Sequence, residues 1–90
     1  MNIKELVSFY HTARYRSISK AAKYLSIGQP TVTIHIQTLE KELKVVLFSR
    51  VKRPISLTKQ GKVLLELSKP TIKAVENLNI ENVMKQLYSG

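Results

Sequence analysis

The run Ser19-Lys20-Ala21-Ala22-Lys23-Tyr24-Leu25-Ser26-Ile27-Gly28-Gln29-Pro30-Thr31-Val32-Thr33 decides the fold. Ala21, Ala22 and Leu25 fall on one side of a short helix over 19–26, and Ser19 or Ser17 can cap its start. The two alanines are small enough for another helix to come close. Ser26-Ile27-Gly28 then reads as a tight turn, with Ile27 pointing inward. A third helix is expected over 29–43, with Pro30 suited to the first helical position, where a missing N–H costs nothing. Val32, Ile36, Leu39 and Leu43 form its core stripe; Pro30, Thr33, Ile34, Gln37 and Lys41 lie opposite.

Outward from this centre, Ile3, Leu6, Phe9, Tyr10 and Ala13 give a first helix over 3–13, capped by Asn2. Residues 47–58 are too rich in β-branched and turn residues for a helix. Leu47–Val51 and Ile55–Leu57 read as two short strands around Lys52-Arg53-Pro54, a small basic wing. Thr58 caps a last helix from Lys59. Within it Leu64, Thr71 and Leu78 repeat every seven residues, as do Leu67 and Ala74, the spacing of a coiled-coil seam. Pro70 is expected to bend or split that helix, and residues 80–88 form a further amphipathic stretch. The fold class is therefore mainly α: a winged helix-turn-helix of three helices and a two-stranded wing over 1–58, then a long linker helix and the start of a hinge over 59–90.

Ninety residues with 15 Lys+Arg against 6 Asp+Glu carry a net charge of +9. Residues 1–58 hold +7 of it and residues 59–90 hold +2. A field of that sign concentrates polyanions, nucleic acid first among them. With Cys 0 there is no disulfide or thiolate site. No apolar run approaches the ~20 residues of a membrane span, and the N-terminus lacks the apolar centre of a signal peptide. A cytoplasmic protein without membrane contact is expected.

Two helices bracing a third, whose outer N-terminal half is free, is the arrangement that places a helix in the major groove. The same elements would also serve an unliganded three-helix bundle, an architectural DNA binder blind to sequence, or a winged-helix protein-interaction module. Catalysis has little support. His11 and His35 lack partners for a metal, and no carboxylate orients Ser8 and His11 as a nucleophile and base. No cofactor and no enzyme activity are expected.

The run quoted above, with Ile36, Leu39-Glu40, Glu42-Leu43, Leu47-Phe48, Arg50, Leu57-Thr58 and Gly61, resembles the N-terminal domain of LysR-type transcriptional regulators. The match is collinear from Met1 to about Leu78. The resemblance implies sequence-specific binding of double-stranded DNA at a partly palindromic operator. It also implies a homodimer paired through the linker helices, and tetramers of the full-length regulator. Family members carry a C-terminal effector domain, so this chain is expected to be the N-terminal part of a longer protein.

On that basis Gln29, whose amide can read adenine, leads the DNA-binding set. Pro30 and Thr31 can touch a thymine methyl or a phosphate, and Thr33 and Gln37 extend the row. Ile34 departs from the family, which commonly has arginine there; isoleucine can pack on thymine methyls but cannot reach guanine or phosphate. Ser17, Ser19 and Lys20 are expected at phosphates. Arg50, Lys52 and Arg53 are the wing's charges: Arg50 is equally suited to a salt bridge with Glu40 or Glu42, and Arg53 to a narrow minor groove. Leu64, Leu67, Thr71, Ala74 and Leu78 form the dimerisation seam. Lys23, Lys44, Lys59 and Lys62 read as solvated surface.

Overall fold

The computed structural model describes residues 1–51 and 54–89. Its elements follow the order α1 (Ile3–Tyr15), α2 (Ile18–Leu25), α3 (Gln29–Leu43), β1 (Phe48–Ser49), β2 (Ser56–Leu57), α4 (Lys59–Glu76) and α5 (Ile80–Tyr88). β1 and β2 pair antiparallel, Phe48 opposite Leu57 and Ser49 opposite Ser56. This is the expected winged helix-turn-helix and linker. The strands are shorter than the sequence predicts, and Lys52 and Arg53, expected in the turn between them, lie outside the described residues.

Local chemistry fixes each boundary. Asn2 and Glu5 form a reciprocal capping box at the start of α1. Ser17 caps α2 by accepting from Lys20 N, and Thr58 caps α4 by accepting from Gly61 N. The first three helices end on Arg16, Ser26 and Lys44, each in the left-handed conformation that turns the chain out of a helix.

The core is small and continuous. Phe9, Val32, Ile36 and Leu39 are fully buried at the crossing of α1 and α3, and Ala21 and Ala22 let α2 approach them. Leu47, Phe48 and Ile55 bring the wing's base into the same core, with the Phe9 and Phe48 rings 5.4 Å apart. Ile72 of α4 is buried there too, so the near half of the linker packs on α1 and on the wing.

Glu40 ties α3 to the wing. Its Oε2 accepts from Leu47 N at 2.7 Å and its Oε1 from the Arg50 guanidinium at 3.4 Å. Thr58 ties the wing to α4: its N–H donates to Leu47 O at 3.0 Å and its hydroxyl to Val46 O. Gly61 sits against the Leu47 carbonyl so closely that any Cβ there would collide with it.

Three expectations need correction. Leu43 is not core: it is 37% exposed and lines a surface groove with Val45, Val63, Leu64 and Leu67. Ile27 does not point inward but lies at the surface, beside Leu25 and His35. Pro70 does not split the linker. It sits on the exposed side of a continuous α4, where the Glu66 carbonyl it leaves without an amide donor can face water. The break comes later, at Asn77-Leu78-Asn79, where the Asn79 side chain caps α5 by accepting from Asn82 N.

Candidate nucleic-acid interface

α3 turns one face to the core and leaves the other bare. Gln29, Pro30, Thr31, Ile34 and Gln37 are exposed, and Thr33 is half-buried. Gln29, Pro30, Thr33 and Ile34 together line a shallow depression open to solvent. Pro30, Thr33, Ile34 and Gln37 follow the 3,4 spacing that places side chains in one row. Gly28, the N-cap residue, offers no side-chain cap bond, and Thr31 N–H turns back to the Gly28 carbonyl, so the Gln29 N–H is the first turn's donor without a protein side chain on it. Such a turn favours a negative group.

The start of α2 adjoins this row. A second depression is lined by Ser19, Lys20, Ala22, Lys23, Ile27 and Gln29, which joins the residues expected at phosphates to the one expected at a base. Lys23, read from the sequence as solvated surface, is exposed and lines this depression too. Ser17 caps α2 through its hydroxyl, which also lies 3.1 Å from the Ser19 hydroxyl. One of the two hydroxyls donates in that contact, which leaves the other's O–H for an incoming oxygen.

Arg50 leaves the wing's base, is half-exposed, and pairs with Glu40 at 3.4 Å. That contact uses one of its five N–H groups, so its fork still has donors to spare. Arg16, not singled out from the sequence, donates from Nε to Ile55 O at 3.4 Å and braces the far side of the wing.

The seam residues fall on both sides of α4. Leu64 is half-buried and leans on its own core. Leu67, Thr71 and Ala74 are exposed, Leu67 at 70%. Leu78 is 71% exposed but lies past the end of α4, within the break. Leu43 and Val63, absent from the expected seam, extend it as a groove toward the end of α3.

The histidines serve packing. His35 Nδ1 meets the Ser8 hydroxyl at 2.7 Å and links α3 to α1. His11 is buried between Tyr10 and Tyr24, with Glu76 of α4 3.7 Å from its Nε2. Burial lowers its pKa, Glu76 pulls it back up, and Arg14 adds to the lowering. Among the described residues no three acidic, histidine or cysteine side chains gather as a metal site, and no helix is long and apolar enough to cross a membrane.

The model of the bacterial regulatory helix-turn-helix proteins of the lysR family matches residues 3–62. The chain is 39% identical over 90 residues to the HTH-type transcriptional regulator CitR of Bacillus subtilis (strain 168), which covers 99% of this chain and 31% of that protein. It is 45% identical over 76 residues to the regulator GltR of the same organism, covering 84% of this chain and 26% of that one. The chain thus spans less than a third of these relatives. Among solved structures, the BenM DNA-binding domain in its complex with catB site 1 DNA superposes with a TM-score of 0.83 at 30% identity, over 100% of this chain and 99% of that one. With the family model covering α1 through the start of α4, the chain belongs to the LysR family of bacterial helix-turn-helix regulators.

Proposed function

We propose that this chain is the DNA-reading part of a transcription regulator. It binds double-stranded DNA with sequence preference, α3 in the major groove and the wing, residues 50–54, against the neighbouring minor groove. The observation that carries this reading is the bare row of α3 flanked by the basic start of α2. A helix of about 10–12 Å diameter fits a groove about 12 Å wide. Gln29, Pro30, Thr31, Thr33, Ile34 and Gln37 face the bases. Ser17, Ser19, Lys20 and Lys23 hold phosphates and set the register. Arg50, Lys52 and Arg53 supply the wing's charge.

The same reading has two copies pairing through Leu67, Thr71, Ala74 and Leu78, with Leu64 behind them, on a partly palindromic site. Leu67, exposed on α4, and the seven-residue spacing that sets Ala74 beside it support it. The protein then acts by binding rather than catalysis, in the cytoplasm beside its DNA. That the BenM domain was solved on DNA supports the groove assignment.

Selection of duplexes from a random library at near-physiological salt tests it. An enriched inverted repeat is the expected outcome. Salt-sensitive binding without enrichment would leave a sequence-blind DNA binder instead.

A further inference from the structure

Ile34 is the largest apolar side chain on the free face of α3 and is 59% exposed. It has no part in the core, which α3 reaches through Val32, Ile36 and Leu39. It stands instead in the depression it shares with Gln29, Pro30 and Thr33. An isoleucine held out in the middle of that row can make no hydrogen bond to a base edge. In the major groove the one apolar group a base pair presents is the thymine C5 methyl. Set against guanine O6 or cytosine N4, the same side chain would strip water from a polar group and return nothing.

We propose that Ile34, with Pro30 one turn before it, is a thymine-methyl contact that fixes an A·T preference within the half-site. The inference rests on α3 reading DNA and names what it reads there. Pro30 and Ile34 are four residues apart, about 6 Å along the helix, while successive nucleotides rise about 3.4 Å on each strand. The two apolar side chains therefore span roughly two base steps. Gln29, beside Pro30, can accept from and donate to an adenine.

The test takes the best duplex from the selection above and replaces its thymines one at a time by uracil, which removes only the methyl. Each duplex is titrated with the unchanged chain and with Ile34→Ala. The expected result is one or two positions where uracil weakens the unchanged chain about fourfold, the effect of one buried methyl. Ile34→Ala should bind the thymine and uracil forms of at least one of them alike. Thermal melts of both proteins guard against a folding defect, which the exposure of Ile34 makes small. Uracil tolerated everywhere, or a sensitivity that Ile34→Ala retains, overturns the inference and leaves the DNA reading intact. If the library yields no enriched duplex, both readings fall together.

Discussion

The head of the molecule and its far end use apolar residues in opposite ways. From α1 to the middle of α4 the large apolar side chains converge: Phe9, Phe48, Ile36, Leu39, Leu47 and Ile72 are all at most 2% exposed. Beyond Ile72 no described residue is buried, yet Leu78, Ile80, Leu87 and Tyr88 are each more than two-thirds exposed. The first arrangement is a core that closes on itself. The second, from Leu78 on, leaves its large apolar side chains open to solvent among the described residues. The head therefore has a core of its own, whereas the far end leaves its large apolar side chains exposed, as the pairing proposed for the linker would require.

The sharpest way to break that comparison is to remove one large side chain from each region. Phe9→Ala should cost about 3–5 kcal/mol, because the cavity opens where α1, α3 and the wing meet. Leu87→Ala should cost no more than about 0.5 kcal/mol in the dilute single chain. Denaturant melts of the two variants at low concentration measure both. Similar losses would mean that α5 is packed after all.

The next effect appears only at higher concentration. Leu67→Glu puts a charge at the middle of the exposed seam while leaving the core untouched. If the seam pairs two copies, each leucine it buries contributes about 1.5–3 kcal/mol, so the variant should dimerise at least tenfold more weakly. Sedimentation across a concentration series reads this directly. An unchanged dimer would move the contact away from this seam and its groove, to the exposed Ile80 and Leu87 of α5.

The head was legible in the sequence because its signals are local. The alanine pair in α2, Pro30 at the start of α3, and Thr58 three residues before Gly61 each act within one turn of chain. α3 was read with its bounds correct. Leu43 was misread because periodicity places it on the core stripe but does not say where the core ends. The stripe outruns the head by one turn, and the surplus leucine joins the seam. Pro70 does not split α4 because the cost of an interior proline depends on what surrounds the freed carbonyl, and here its surroundings are open. Arg50 had been weighed between Glu40, Glu42 and DNA, and only the fold brings it to Glu40. The row Gln29, Pro30, Thr33 and Ile34 was visible from helical spacing, whereas the place of Lys23 beside Gln29 depends on how α2 crosses α3.

The smallest effect lies where the two regions touch. His11 belongs to the head and Glu76 is the last residue of α4. Burial holds His11 below its ordinary pKa of 6.5, with Arg14 helping and Glu76 opposing. The folded chain thus prefers the neutral ring, while the unfolded chain takes up a proton as the pH falls past 6.5. Stability from this residue is whole above that value and declines as the pH drops from there toward the lowered folded value. Denaturant midpoints taken from about pH 8 to about pH 5 should therefore fall, and less so in His11→Gln. Glu76→Gln removes the influence that raises the ring's pKa, so its acid loss should be steeper than that of the unchanged chain. A Glu76→Gln slope equal to the original would mean that the end of α4 does not rest on His11 in solution. The boundary between the self-sufficient head and the unpartnered end would then lie at Ile72, one turn earlier than the structure places it.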